Sequence, residues 1–186
     1  VEARSRAGVP PVDPLVEAAV AESRHVQVLL KHATLAGRRG DRGLQESLLQ
    51  RALQFHPSDQ DVLMEAAVFR LASGRPQEAL DLLKTRESLA PDDHHTLVEQ
   101  GRCLAEMGQL REAETVLRRA ARVRDAAVDY NLGLVLDRQG RAAEARALFD
   151  RALTINPFHV DAMNAIGLQL DRAGQLEEAV RWFRRA

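Results

Sequence analysis

The chain has 186 residues, enough for one domain by length, with 28% charged residues and a formal net charge of −1. This charge balance argues against nucleic-acid-binding and anionic-membrane-binding classes, and no run of 18 apolar residues predicts a membrane-spanning helix. The single cysteine, Cys103, excludes an internal disulfide framework. We expect a soluble protein and leave its compartment, cytoplasm or periplasm, open.

The first 25 residues precede the regular part of the sequence. Residues 1–12 lack periodicity and contain Gly8, Pro10 and Pro11, which predicts a flexible lead-in. Asp13-Pro14 is typical of a helix start, with an N-cap acceptor followed by proline at the first helical position. We therefore interpret residues 13–25 as a helix that caps the regular part. A single helix running on into residues 26–36 is the alternative.

From residue 26 onwards, three kinds of position recur at the same intervals. The turn glycines are separated by 34, 34, 32 and 34 residues, at Gly40, Gly74, Gly108, Gly140 and Gly174. A small residue keeps these intervals at Ala33, Ala67, Gly101, Gly133 and Gly167, and a large apolar residue keeps them at Leu49, Leu83, Leu117, Phe149 and Phe183. This pattern predicts five helical hairpins that stack on one another. The predicted units are 26–59, 60–93, 94–125, 126–159 and 160–186.

Two segments depart from the common pattern. Residues 37–43 are rich in glycine and arginine, which predicts a late start for the second helix of unit one. Unit three is two residues short, and we expect residues 123–125 to form a tighter connection there. Ser58 or Asp59 is the predicted cap of the helix that opens unit two.

The fourth and fifth units resemble the tetratricopeptide repeat family. The residues that carry the resemblance are Leu132, Gly133, Leu136, Ala145, Phe149, Ala152 and Pro157, then Ile166, Gly167, Leu170, Ala179, Phe183 and Ala186. Unit one matches least, because Gln45 stands where the family has a small residue. The resemblance covers roughly residues 26–186. It implies an all-α fold, a right-handed α-solenoid of stacked antiparallel helix pairs, with about five units and an N-terminal capping helix.

Each recurring position has a physical reason. A small residue lets two helices approach closely, and a glycine at the turn can adopt a positive φ. The repeat-core residues that we predict on this basis are Gly101, Gly133, Gly167, Ala145, Ala179, Phe149 and Phe183.

The resemblance also implies a binding groove. In such repeats the fifth, ninth and twelfth places of the first helix face the concave side. The predicted groove residues are Leu30, Met64, Val68, Leu71, Val98, Arg102, Tyr130, Leu134, Asn164 and Leu168. Their mainly apolar character, with Arg102 near the middle, favours an amphipathic helix or an extended peptide that carries an acidic group. The alternative is that these side chains only pack between neighbouring first helices.

No motif predicts catalysis, a cofactor or a metal site. The sequence has no HExxH pair, phosphate-binding glycine loop or CxxC motif. We interpret His94 and His95 as solvated or capping residues, and Cys103 as a small core residue. A solvated helix face explains Arg118, Arg119, Arg122 and Arg124 better than a phosphate site, because Glu112 and Glu114 lie nearby.

The last unit is predicted to be truncated at Ala186. A terminal repeat exposes the face meant for its neighbour, here at Ile166, Val180, Trp182 and Phe183. We expect the chain to be a fragment of a longer one, and self-association through this end is the alternative.

Three functional hypotheses follow. The first is a non-catalytic scaffold that binds a protein or peptide partner in the groove. The second is an accessory, substrate-recruiting domain of a larger enzyme such as a glycosyltransferase. The third is a structural scaffold that assembles with itself. The near-neutral charge disfavours nucleic acid as a partner.

Overall fold

The computed structural model describes residues 20 and 23–186, and the regular elements of that part are all α-helices. Ten helices lie within residues 23–186: α1 (Val26–Arg39), α2 (Arg42–Phe55), α3 (Gln60–Ala72), α4 (Pro76–Leu89), α5 (His94–Glu106), α6 (Leu110–Ala120), α7 (Ala126–Arg138), α8 (Ala142–Ile155), α9 (Val160–Arg172) and α10 (Leu176–Arg185).

The predicted lead-in, residues 1–12, and most of the predicted capping helix, residues 13–25, lie outside the described residues. Residues 23–25 are not helical, and His25 is extended, with φ −76° and ψ 117°. The helix α1 therefore starts anew at Val26 instead of continuing an earlier helix. Val20 is helical and buried against the first hairpin.

Glycines end the first helix of each hairpin, as their spacing predicts. At Gly140 the backbone has φ +81°, and its amide donates to the carbonyl of Asp137. The next amide, of Arg141, reaches back to the carbonyl of Leu136. This left-handed conformation is strained for residues with a Cβ, so glycine stands at the turn and the chain reverses within three residues.

Short polar side chains begin the first helices of the later repeats. Asp59 accepts hydrogen bonds from the amides of Asp61 and Val62, which confirms it as the cap of α3. Asp93, Asp125 and the Nδ1 atom of His159 cap α5, α7 and α9 in the same way. Each cap satisfies amides that the first helical turn leaves without a partner.

The chain forms two compact units, Val1–Arg75 and Pro76–Ala186, called unit A and unit B below. In unit A, α1 and α2 form a hairpin, and α3 packs against both. Leu29, Leu48 and Val62 contribute one buried side chain from each helix. The apolar stripe of each helix is covered in this way by its two neighbours.

Unit B contains three successive hairpins, α5–α6, α7–α8 and α9–α10. The second helix of one hairpin packs on the first helix of the next, and α4 packs on α5. The first helices also contact one another, α5 with α7 and α7 with α9. These contacts confirm the predicted all-α solenoid arrangement of stacked helix pairs.

The predicted small residues lie where two helices approach most closely. A Cβ built on Gly133 would lie 2.5 Å from a ring carbon of Phe149, and a Cβ on Gly101 would meet Leu117 at the same distance. Phe149, Ala145 and Ala179 are buried as expected. Phe183 contacts Gly167 but remains 39% exposed.

Two local predictions were wrong. The helix α2 starts two residues after Gly40, the same offset as α4 after Gly74, so it does not start late. The short third repeat has no tighter connection: residues 121–125 link α6 to α7, and the shortfall appears in α6, which has 11 residues where α8 has 14.

A compensating pair of residues explains why the first repeat matches the repeat pattern poorly. A Cβ on Gly37 would lie 2.8 Å from the side-chain amide of Gln45. The missing side chain at residue 37 therefore makes room for a glutamine where other repeats place alanine, and the hairpin closes normally.

Candidate functional site

The predicted groove residues of unit A are only partly available to solvent. Leu30, Met64 and Leu71 are half-buried, and Leu30 packs against the core of the first hairpin. Val68 is the most exposed of the four. Leu30 therefore has a packing role in the first hairpin, and Val68 offers the most exposed surface of the four.

In unit B the predicted residues lie on three first helices that contact one another. Val98 is only 8% exposed and belongs to the core, so it offers little surface to a partner. The remaining five form what we call the first-helix face: Arg102 on α5, Tyr130 and Leu134 on α7, and Asn164 and Leu168 on α9. Of these, Arg102 and Leu168 are exposed, and the other three are half-buried.

Tyr130 is the aromatic residue of this face. Its ring centroid lies 5.0 Å from that of His159 and 6.1 Å from that of Phe149. Burial raises the pKa of Tyr130, and the negative charge of Asp161 adds to this effect, whereas Arg102 and Arg138 oppose it. Tyr130 is therefore a neutral hydroxyl, with charged groups of both signs around it from its own repeat and from both neighbouring repeats.

Arginine–carboxylate pairs surround the apolar residues of the face. Arg102 donates from Nη1 to both carboxylate oxygens of Glu99, at 2.8 Å, within α5. Arg138 reaches back one repeat to the carbonyl oxygen of Ala105 at 3.0 Å and to Glu106 at 3.2 Å. The face therefore carries charged side chains, and the opposite charges of each pair compensate one another locally.

The third pair links the last two repeats. Asp137, whose side chain is largely buried, accepts from Arg172 at 2.6 Å and from the amide of Gln169 at 2.7 Å. Arg172 and Arg138 occupy the same place in successive repeats, so the same backward-reaching contact occurs twice. We did not single out Arg138 and Arg172 from the sequence, although their spacing of one repeat length was a signal that could have found them.

Comparison with known proteins agrees with this geometry. A family model described as Tetratricopeptide repeat matches residues 98–160, which includes α7 and α8. The structure of TTC0263, a thermophilic tetratricopeptide repeat protein from Thermus thermophilus, is similar with a TM-score of 0.79 and 24% identity, over 87% of this chain and 90% of that one. Residues 98–160 are therefore tetratricopeptide repeats, and the described chain shares the fold of tetratricopeptide repeat proteins.

Two further tetratricopeptide repeat proteins are informative. Human tetratricopeptide repeat protein 7B is 26% identical over 168 residues, which cover 81% of this chain and 20% of the relative. The chain therefore spans about a fifth of the length of that protein. YrrB, described as having an unusual peptide-binding site, has a TM-score of 0.61 and 18% identity, over 93% of this chain and 90% of its own.

The second helices of these tetratricopeptide repeats carry a different network, centred on Glu114 of α6. Its carboxylate accepts from Arg118 at 2.7 Å and from Arg141, at the start of α8, at 2.9 Å. Burial acts to raise the pKa of Glu114, but the hydrogen bonds from Arg118, Arg141 and Gln139 outweigh it and hold the pKa at about 2. Arg141 also donates to Glu144 at 2.6 Å, so two arginines face two carboxylates, which supports a structural role for Arg118.

Arg119 has a similar role between repeats. It bonds Glu87 at 2.7 Å and Asp92 at 2.8 Å, and so connects α6 to α4 and to the turn after it. Asp92 has a positive φ of 60°, an uncommon conformation for a non-glycine residue, and its side chain is held there by Arg119. Two arginines of the predicted basic cluster, Arg118 and Arg119, are therefore paired with acids.

The remaining candidates for chemistry lie apart from one another. Cys103 is fully buried, and burial raises the pKa of its thiol to about 12. His94 lies 3.6 Å from Asp125 at the entrance to α7, and its ring stacks beside His95. Among residues 20 and 23–186, no three histidine, cysteine or acidic side chains are grouped closely enough to hold a metal ion. Within the same part, no helix has the length and apolar character needed to span a membrane.

Proposed function

We propose that the first-helix face of unit B binds a segment of a partner protein and that the chain performs no chemistry of its own. One observation carries this proposal. Tyr130, Leu134 and Leu168 are partly exposed on first helices that contact one another, so they offer apolar surface from two successive repeats. A buried thiol with a raised pKa supports the second half of the proposal, because a reactive cysteine needs an accessible thiolate.

The strengths of the ion pairs suggest where an acidic group of the partner binds. Arg102 is paired only along its own helix, at a spacing of three residues, and such a pair contributes about 0.2–0.5 kcal/mol. Arg138 and Arg172 instead bond groups of the preceding repeat, and Asp137 is largely buried. A carboxylate on the partner can therefore displace Glu99 from Arg102 at low cost. We expect an apolar segment with one acidic residue.

The peptide-binding site named for YrrB is a parallel for this role and not a template, because the two chains share only 18% identity. That likeness supports the repeat scaffold. Tyr130, Leu134 and Arg102 of this chain support the choice of surface.

A display library of random linear peptides tests the proposal. Peptides selected on the chain should be apolar with an acidic residue. Tyr130→Ala and Leu134→Asp should each lower the affinity for these peptides by at least about 10-fold, a change that corresponds to about 1.4 kcal/mol. Arg102→Ala should lower the affinity for acidic peptides and leave the affinity for their neutral analogues unchanged.

The matched control is Thr115→Ala on α6, an exposed residue of the second-helix side. It should leave binding unchanged. Far-UV circular dichroism verifies that each variant keeps its helices. Selected peptides that bind equally well to Tyr130→Ala, Leu134→Asp and the parent chain would place the binding surface elsewhere and refute the proposal.

A further inference from the structure

The cap of α9 differs from the caps of α3, α5 and α7. Aspartate side chains cap those three helices, whereas the imidazole of His159 caps α9. Its Nδ1 atom accepts from the amide of Ala162 at 3.2 Å. Because Nδ1 is the acceptor, the neutral ring carries its proton on Nε2, and the cap bond fixes the orientation of the ring. Histidine is an unusual residue for this role, since aspartate, asparagine and serine are preferred as caps.

A second departure from the repeat pattern occurs in the same repeat. The fifth place of the first helix is leucine, methionine or valine in the first three repeats and is aromatic in the fourth. Together with the caps that follow them, these places pair as Leu30 with Asp59, Met64 with Asp93, Val98 with Asp125, and Tyr130 with His159. The one aromatic residue on the first-helix face is therefore followed by the one cap of the four that has a ring.

The two rings lie against each other and against a third ring. The ring centroid of His159 lies 5.0 Å from that of Tyr130, and the ring centroid of Tyr130 lies 6.1 Å from that of Phe149. Both separations are within the roughly 4.5–7 Å of favourable aromatic pairs. Phe149 is fully buried, and its ring contacts Gly133. Tyr130 therefore lies between one ring fixed by the core and one fixed by a helix cap.

The turn before α9 also holds the histidine. The amide of His159 donates to the carbonyl oxygen of Asn156 at 3.1 Å. The side-chain oxygen of Asn156 accepts from the amide of Phe158, also at 3.1 Å. His159 is half-buried, as is Tyr130. The turn places the backbone of His159, the cap bond orients its ring, and the ring in turn limits the positions open to Tyr130.

We propose that His159 is a positioning residue of the first-helix face, and that its ring holds the ring of Tyr130 where an apolar side chain of the partner segment packs on it. This inference rests on the proposed function, because Tyr130 belongs to that binding face. A side chain that is already fixed loses little conformational freedom when a partner binds, so fixing it raises the affinity. His159 acts through Tyr130 and makes no contact of its own with the partner.

Two substitutions separate the ring of His159 from its cap. His159→Asn keeps a good capping side chain and removes the ring, whereas His159→Phe keeps a ring and removes the cap. The probe is a synthetic, fluorescently labelled peptide selected from the display library. His159→Asn should lower its affinity by about 3- to 10-fold, the loss expected for one aromatic pair. His159→Phe should keep the affinity within about twofold and lower the urea midpoint by more than His159→Asn does.

A double-mutant cycle tests whether His159 acts through Tyr130. In the Tyr130→Ala background, His159→Asn should change the affinity of the peptide by less than about twofold, because the ring that it positions is gone. Asp59→Asn is the matched control, since it exchanges one capping side chain for another in unit A. It should leave the affinity of the peptide unchanged. Circular dichroism verifies that every variant is folded.

Each other outcome overturns the inference in its own way. Parent-like binding by His159→Asn shows that His159 serves only as a cap. Equal losses of affinity in His159→Asn and His159→Phe show that stacking on Tyr130 is not the cause. Additive losses in the cycle show that His159 contacts the partner itself. These three results leave the proposed function intact, whereas a peptide whose binding does not depend on Tyr130 overturns both.

Discussion

At the scale of single residues, Gly133 decides how closely α7 approaches α8. An added Cβ would lie 2.5 Å from the ring of Phe149, which is itself fully buried. Helix propensity alone would favour alanine over glycine by about 1 kcal/mol. The steric conflict should nevertheless dominate, because the ring has no free space to enter. We expect Gly133→Ala to lower the free energy of unfolding by about 1–3 kcal/mol in urea titrations.

Two other glycines serve as controls for this prediction. Gly167 makes the same close contact with Phe183, but that ring is partly exposed and can turn towards solvent. Gly167→Ala should therefore lower the free energy of unfolding by less than Gly133→Ala does. Gly43, in the first turn of α2, has only Asp41 nearby at 3.7 Å, so Gly43→Ala should be neutral or slightly stabilising. Equal losses at all three positions would refute the steric explanation.

Cys103 allows a second test at this scale. Burial raises the pKa of its thiol to about 12, with a further contribution from Glu99 that Arg102 opposes. Only the thiolate reacts with disulfide reagents, so the folded chain should react at about pH 8 far more slowly than the chain in denaturant. Absorbance of the released aromatic thiol measures both rates. Rapid, complete labelling of the folded chain would show that α5 opens locally or that the thiol is accessible.

At the scale of helices, two partly buried carboxylates should make stability depend on pH. Hydrogen bonds hold the pKa of Glu114 at about 2 although burial opposes them, and the same balance holds the pKa of Asp93 at about 2. Both values are lower in the folded chain than the ordinary values of 4.5 and 3.8. The stabilisation is therefore complete above pH 4.5 and is lost as the pH falls towards about 2. Urea midpoints measured over this range should decrease steadily.

Glu114→Gln isolates one of the two contributions. It should lower the free energy of unfolding by about 1–3 kcal/mol at neutral pH, because Arg118 and Arg141 lose a charged acceptor. Its stability should also depend less on pH below 4.5 than that of the parent chain. Glu112→Gln, exposed on the same helix, is the control and should change the free energy by less than about 0.5 kcal/mol.

Helix positions were largely predictable, because glycine turns and buried small residues act locally. The turn glycines correctly predicted where the first helices end, and Asp59 correctly predicted where α3 begins. The length of α6 was not predictable, since a deletion of two residues can be absorbed by a helix or by a loop. The pairs of Arg138 and Arg172 were missed because their partners lie 32 to 35 residues away, and only the stacking of repeats brings them together.

At the scale of the whole molecule, a repeat is stable because its neighbours cover it. The hairpin α7–α8 has neighbours on both sides, α6 and α9, and its side chains Leu132, Leu136 and Phe149 are buried. Leu176, Val180 and Phe183 of α10 remain exposed, and their helix contributes only Ala179 to the core. Stability in such arrays is close to a sum over repeats and their contacts, so local opening should be easiest at α10.

Hydrogen exchange followed by mass spectrometry measures this gradient within unit B. At low protein concentration, amides of α10 should exchange fastest and those of α7 and α8 slowest. An α10 that is already as protected as α7 in dilute solution would contradict the gradient, because contacts with a single neighbouring hairpin would then suffice to hold the last helix.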